Sequence, residues 1–163
     1  MTAIEEKLVE YIDDAYAMEQ NVLRMLDGMI GTTEDPQMKR SLERHRKQTE
    51  KQAERLDERL RDHGASPSRV KQAGGIMGAL MKGVLDMTRG DSAGRNARDA
   101  FATEHMEIAS YELLERVALR VGDEETARVA RENCRDEEAM AAKIASHWDR
   151  FAELSMQDAD VHA

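Results

Sequence analysis

The chain has 163 residues, of which 33 are acidic and 24 basic, so its net charge is −9, and it contains one cysteine and two prolines. This length predicts one domain with a buried core, and the acidic balance argues against a nucleic acid partner, because phosphate backbones need a basic surface. A lone cysteine excludes an internal disulfide, and the absence of a signal-like or membrane-length apolar run predicts a cytoplasmic protein with no stable membrane insertion.

The first predicted helix runs from about Thr2 to Ile30, because its apolar residues recur at i, i+3, i+4 and i+7. Glu19 lies in the middle of this apolar stripe. A carboxylate facing a core is costly unless a proton, a basic partner or a metal ion neutralises it. Asp35 and Pro36 predict the N-cap and the first residue of the next helix.

The second predicted helix runs to about His63, and its buried stripe is apolar at the ends and polar in the centre. Residues 66–90 are rich in glycine and methionine and are interpreted as a crossover with one or two short helices. Small residues allow close backbone approach. An oligomer contact, a lid or a membrane-surface helix from Val70 to Met87 remain alternatives for this segment.

The third and fourth helices are predicted over Ala93–Val121 and Glu124–Leu154. Each again carries a glutamate in the middle of an apolar face, Glu104 in one and Glu137 in the other. Residues 1–154 are therefore expected to form a single domain, followed by a polar, flexible tail over 155–163. Two tight turns and one long crossover predict an all-α, ferritin-like antiparallel four-helix bundle.

Glu19, Glu104 and Glu137 lie near the midpoints of their helices, so a bundle of matched helices places them at one depth. Together with His45 from the second helix they are candidate ligands for one or two divalent ions. Glu107, one turn after Glu104, could reach the same site. The polar residues expected around these ligands are Gln48, Thr49, Gln52, Tyr16, Tyr111 and Asp136.

Each of these residues also has a structural interpretation. A single core-facing glutamate is often paired with arginine, His45 could be a hydrogen-bonded core histidine, and packing explains both tyrosines. Cys134 is expected to be a buried small apolar side chain, and the eleven methionines are expected to fill the core, with a methionine-lined copper site as a minor alternative.

Four segments carry a family resemblance: DAYAMEQ, HRKQTEKQAERL, EHMEIASYELL and CRDEEAM. They resemble the YciF/YciE family of ferritin-like stress proteins over about residues 4–150, and more distantly the rubrerythrin-type di-iron bundles. The resemblance implies a four-helix ferritin-like fold, frequent dimerisation, a dinuclear metal centre and a bacterial stress role. Carried over by position, Glu19, Glu104 and Glu137 match the carboxylate ligands, and Glu107 is a plausible addition.

The chain departs from the di-iron pattern in one respect. Such bundles usually carry Glu-x-x-His on two helices, and this sequence contains none. Thr49 and Gln52 occupy the corresponding spacing on the second helix, and Met140 follows Glu137 on the fourth. A single metal, weak binding and a vestigial site are therefore all open.

Two functional hypotheses follow from the sequence. The first is a metal protein that binds iron or, alternatively, manganese. If it is active, it is a ferroxidase- or peroxidase-like oxidoreductase, and it forms a homodimer or a higher homo-oligomer. The second is a non-catalytic bundle for dimerisation or scaffolding with a vestigial metal site, in which the buried polar residues form hydrogen bonds and a charge pair with an arginine.

Overall fold

A computed structural model describes the backbone of residues 2–68 and 93–161 and the side chains as far as residue 157. Within these ranges the chain is helical and contains no strand, which confirms the all-α prediction. The helices are α1 (Ala3–Thr32), α2 (Pro36–Asp62), α3 (Ala93–Val121), α4 (Glu124–Ala145) and α5 (Trp148–Val161). The predicted crossover helices, lid and membrane-surface helix fall largely on residues 69–92, outside the described residues, and stay predictions.

The helix boundaries are set by local capping. Asp35 accepts hydrogen bonds from the N–H groups of Gln37 and Met38, each at 2.9 Å, and Pro36 begins α2 as expected. Between α3 and α4, Gly122 adopts a positive φ of 83°. Asp123 then caps α4 by accepting from the N–H of Thr126 at 2.9 Å.

Four helices form a square in the order α1, α2, α4, α3, because α1 packs on α2 and α3, and α4 packs on the same two. Contacts between α1 and α3 join Glu19 to Tyr111 and Met25 to Thr103, so these two helices are antiparallel. Contacts between α2 and α4 join Gln52 to Glu137 and Arg59 to Thr126, so these two helices are antiparallel as well. The end of α2 and the start of α3 therefore lie at opposite ends of the bundle, as the ferritin-like topology requires.

The predicted fourth helix, Glu124–Leu154, is wrong as one continuous element, because α4 ends at Ala145 and α5 begins at Trp148. At the break, the Ser146 hydroxyl donates to the Lys143 carbonyl at 2.8 Å, and Nδ1 of His147 lies 2.8 Å from the same oxygen. Such side-chain bonds compete with the helical pattern. The predicted tail is helical as far as Val161, and the domain boundary at residue 154 stays a prediction.

After the break at Ser146 and His147, α5 packs against α3. The indole of Trp148 packs edge-on against the ring of Phe101 with the centroids 5.4 Å apart, and the Gly94 N–H donates to Ser155 Oγ at 3.0 Å.

None of the described helices combines the length and the apolar character that crossing a membrane requires.

Candidate metal centre

Four helices each contribute to one buried polar cluster in the middle of the bundle. Glu19 comes from α1, His45 from α2, Glu104 and Glu107 from α3, and Glu137 from α4, and every one of these residues is at most 2% exposed. We call these five residues the carboxylate cluster. Apolar layers lie on both sides of it along the bundle axis, formed by Leu8, Ile12, Leu56, Leu60 and Leu114 at one end and Val22, Met25, Leu26 and Met29 at the other.

Two groups of three residues within the cluster bring their ligand atoms close enough together that they could hold a metal ion. One consists of His45, Glu104 and Glu137, and the other of Glu19, Glu107 and Glu137; in each, one ligand atom per residue lies within 4.8 Å of the others. Glu137 belongs to both groups. The Nε2 atom of His45 is 3.1 Å from Glu104 Oε1 and 4.0 Å from Glu137 Oε2. The two groups are therefore adjacent and share one carboxylate.

Many polar atoms of the carboxylate cluster have no hydrogen-bond partner among the described residues. They include both carboxyl oxygens of Glu107, both ring nitrogens of His45 and one oxygen each of Glu19, Glu104 and Glu137. Unpartnered buried polar atoms are rare in folded proteins and cost free energy. Their convergence in one place is therefore the feature that most needs a ligand to explain it.

Burial dominates the ionisation of the cluster. It raises the pKa of Glu137 to about 9 and that of Glu104 to about 7, and it raises the pKa of Glu19 and Glu107 well above the usual range. The charges of neighbouring glutamates raise these values further for Glu19 and Glu107. Burial lowers the pKa of His45. In the absence of a cation, the raised pKa values favour protonated carboxyl groups, and the lowered pKa of His45 favours the neutral imidazole that binds metals.

Two of the predicted neighbours donate hydrogen bonds to the cluster. The Gln52 amide donates to Glu137 Oε1, and the Tyr111 hydroxyl donates to Glu19 Oε1. Thr49 is buried beside them, but its hydroxyl donates to the His45 carbonyl at 3.1 Å and so remains within its own helix. Gln48 is half-buried, and its side chain raises the pKa of His45.

Neither Tyr16 nor Asp136 hydrogen-bonds to the cluster among the described residues, although the charge of Asp136 raises the pKa of His45. Tyr16 is half-buried, and burial raises the pKa of its hydroxyl, with Asp57 and Arg61 as its charged neighbours. Asp136 faces Arg55, whose Nη1 lies 3.7 Å from Asp136 Oδ2. Both residues lie on helix flanks, which the spacing of the sequence alone could not distinguish from the buried edge of the stripe.

Sequence reasoning missed Asn133 and Arg55. The Asn133 amide nitrogen donates to the Tyr111 hydroxyl at 3.1 Å, and its oxygen accepts from Arg55 Nη1 at 2.8 Å. A chain of hydrogen bonds therefore leads from partly exposed Arg55 through Asn133 and Tyr111 to Glu19. The available signal was the position of Asn133, one turn before Glu137 on α4.

The chemistry of the cluster fits a divalent metal ion better than an internal charge pair. In the part of the chain that the structure describes, the only basic group paired with these carboxyls is His45, and no arginine or lysine reaches them. Oxygen ligands with one imidazole suit iron and manganese. Cys134 is 8% exposed with its sulfur 3.9 Å from the Ile108 carbonyl oxygen, so it is a buried thiol as predicted.

Comparison with known proteins places the chain among related bundles. The family described as "Domain of unknown function (DUF892)" matches residues 3–157. Protein YciF from Escherichia coli (strain K12) is 24% identical over 148 residues, which are 88% of this chain and 89% of that protein.

Solved structures show the same similarity. A protein from Xanthomonas campestris pv. campestris is 28% identical with a TM-score of 0.82, and the match covers 96% of this chain and 99% of that one. YcfI from Rhodopseudomonas palustris, proposed to be a structural protein, is 28% identical with a TM-score of 0.77, over 89% and 94% of the two chains. The stress protein YciF of E. coli shares the fold, with a TM-score of 0.76 at 22% identity over 98% and 99% of the chains.

Proposed function

The chain belongs to the family described as a domain of unknown function (DUF892), and we propose that it is a ferritin-like protein whose carboxylate cluster binds one or two divalent metal ions, iron or manganese. The observation that carries the proposal is the pair of buried triads that share Glu137 and leave so many polar atoms unpartnered. A cation would neutralise the mutual repulsion of the carboxylates and satisfy these atoms at once.

The donor set divides between two positions. His45, Glu104 and Glu137 would hold one ion, and Glu19 and Glu107 would hold a second ion together with the shared Glu137. The missing Glu-x-x-His is replaced on α3 by Glu104-x-x-Glu107, with the histidine supplied by α2 instead. A bound Fe(II) would supply electrons to O₂ or a peroxide, so the proposed activity is ferroxidase- or peroxidase-like.

The surrounding residues would orient the ligands and keep the site dry. Hydrogen bonds from Gln52 and Tyr111 hold one oxygen of Glu137 and of Glu19, and the second oxygen of each remains without a partner among the described residues. Outer hydrogen bonds of this kind fix ligand orientation and tune metal affinity. The apolar layers on either side exclude water.

We extend the proposal to the setting of the protein. The E. coli relative is described as a stress protein, and we propose a related role in a bacterial stress response for this chain, in the cytoplasm and as a homo-oligomer. The support for this part is the family relationship and the single, buried cysteine.

Metal stoichiometry tests the proposed site. Chelator-treated protein is loaded with Fe(II) or Mn(II) without oxygen and with oxygen, freed of unbound metal and assayed by elemental analysis. We expect one or two ions per chain in the wild type, fewer in Glu104→Gln, and wild-type content in Glu112→Gln, an exposed control on the same helix. No bound metal under either condition, with an unchanged melting temperature, would contradict the proposal.

The second candidate is a metal-free scaffold. The hydrogen bonds from Gln52 to Glu137 and from Tyr111 to Glu19 favour it, because they satisfy part of the cluster without metal. Against it stands the lack of an arginine partner for these carboxyls among the described residues. The stoichiometry measurement distinguishes the two candidates.

A further inference from the structure

A separate cavity of about 310 Å³ lies at the end of the bundle where α1 meets α2 and where α5 packs. Its volume is within the range of small-molecule sites. Most of its wall is apolar and comes from all five described helices: Met29, Met38, Leu42, Ala97, Ile144 and Phe151. A cavity with this wall favours an apolar ligand or an apolar part of one.

Three basic residues line the cavity although the chain is acidic. Arg44, Lys143 and Arg150 line it together with one acid, Asp35. Arg150 is paired with Asp35, with Nη2 3.4 Å from Oδ2. Arg44 and Lys143 have no carboxylate partner among the described residues, and Lys143 donates only to the Ser41 hydroxyl.

The positive charges of Arg44 and Lys143 repel each other. Partial burial lowers the pKa of Lys143, and the positive charge of Arg44 lowers it further. An anion placed between them would remove this repulsion and gain charge-assisted hydrogen bonds. A neutral ligand would leave the repulsion in place, and a small inorganic anion would leave the apolar wall in contact with water.

The cavity is next to the carboxylate cluster but does not include it. Leu42, Ala100 and Met140 line the cavity, and each lies one helical turn from a cluster residue, His45, Glu104 and Glu137 respectively. The cavity wall therefore uses the same helices one turn further along. Its ligand would bind whether or not the cluster holds a metal.

We propose that this cavity binds an aliphatic monocarboxylate, with the carboxylate between Arg44 and Lys143 and the alkyl chain against the apolar wall. The two cations without a carboxylate partner and the apolar side chains of the same cavity match the two ends of such a molecule. This site shares no residue with the proposed metal centre, and the proposal does not rest on a bound metal.

The fluorescence of Trp148 gives a direct measurement, because it is the only tryptophan in the chain and its ring is 6.0 Å from that of Phe151, which lines the cavity. Octanoate, 1-octanol and octyltrimethylammonium are titrated into the full-length protein by fluorescence and calorimetry. We expect saturable binding of one octanoate per chain, binding of 1-octanol weaker by about tenfold or more, and no saturable binding of the cation.

Two double variants distinguish binding at the cavity cations from a general effect of the protein's net charge. Arg44→Gln with Lys143→Gln should weaken octanoate binding by about tenfold or more. Lys47→Gln with Lys51→Gln makes the same charge change on the exposed face of α2 and should leave binding unchanged. The single variant Arg44→Gln, at an exposed residue, serves if the double variant does not fold, as judged by circular dichroism.

Three results of these titrations would overturn the proposal: no saturable binding of octanoate, equal binding of octanoate and 1-octanol, or unchanged binding in the Arg44 and Lys143 variant. Titrations are repeated after treatment with a chelator. Binding that persists supports the cavity, whereas binding that disappears would place octanoate on a bound metal and would also overturn the proposal.

Discussion

At the scale of single residues, Tyr111 joins the carboxylate cluster to the rest of the fold. Its hydroxyl donates to Glu19 and accepts from the Asn133 amide, and the residue is fully buried. Deleting one hydroxyl therefore leaves two buried partners unsatisfied. The cost of such a loss exceeds that of the hydrogen bond itself, because the remaining groups stay desolvated.

We predict that Tyr111→Phe lowers the free energy of unfolding by about 1–3 kcal/mol, measured by urea denaturation of chelator-treated protein. Tyr11→Phe is the matched control, since Tyr11 is half-buried on α1 and lies outside the cluster. Equal stability losses in the two variants would show that the Tyr111 hydroxyl has no special role.

The residues that the sequence predicted well are those in mid-stripe positions. Glu19, Glu104 and Glu137 are buried together as expected, because residues at the centre of an apolar stripe face inward whatever the exact helix rotation. The orientation of residues at the edge of a stripe was harder to predict. Glu107 is buried in the core, whereas Asp136 faces Arg55. A rotation of a few tens of degrees decides such positions, and only tertiary packing fixes it.

At the scale of elements, Asp123 connects the end of α2 to the start of α4. Besides capping α4, its carboxylate accepts from Arg59 Nη2 at 3.1 Å and lies 2.8 Å from His63 Nε2. Burial alone would raise the pKa of Asp123, but the hydrogen bonds from Thr126, His63 and Arg59 outweigh it and lower that pKa below its usual value.

Because its folded-state pKa is lowered, Asp123 stabilises the fold above its unfolded pKa, and this contribution disappears as the pH falls through the folded pKa. We predict that Asp123→Ala lowers the free energy of unfolding at pH 7 by about 2 kcal/mol, measured by urea denaturation. The exposed residue Glu58 on α2 provides the control: Glu58→Ala should change stability by less than about 0.5 kcal/mol. A loss no larger than that of Glu58→Ala would contradict the role of Asp123.

The helix boundaries were predictable where capping residues mark them, as at Asp35 and Asp123. The break between α4 and α5 was not, because Ser146 and His147 are compatible with a continuous helix by propensity. Just after the break, Trp148 packs on Phe101. That contact joins residues far apart in the sequence, so no local sequence pattern predicts it.

At the scale of the whole molecule, the carboxylate cluster makes the metal-free fold sensitive to alkaline pH. The carboxyl groups of Glu104 and Glu137 have pKa values raised by burial to about 7 and about 9, so the folded chain binds protons that the unfolded chain releases. Stability from these groups is fully present below their unfolded pKa and is lost as the pH rises through the folded values.

We predict that metal-free protein loses stability between pH 7 and pH 9, by about 1.4 kcal/mol per pH unit for each proton retained in the fold. Denaturation by urea at several pH values measures it. Glu137→Gln should flatten the slope, because glutamine does not titrate, whereas the exposed control Glu112→Gln should not. Stability that rises with pH over this range would contradict the assigned protonation.

The topology was predictable from the sequence because two tight turns and one long connection leave few ways to arrange four long helices. The cavity at the end of the bundle was not, because its wall is assembled from all five described helices and no single helix face displays it. The arrangement of the two triads around Glu137 also depends on the relative rotation of the helices, which periodicity alone does not determine.

The central claim is that the carboxylate cluster is a metal centre with Glu137 shared between two positions. An anomalous-scattering map from crystals of the full chain grown with Fe(II) or Mn(II), recorded on both sides of the metal absorption edge, tests it most directly. We predict one or two anomalous peaks within the cluster, each in contact with Glu137. A map without a peak there, with the carboxyl groups hydrogen-bonded to each other, would contradict the claim.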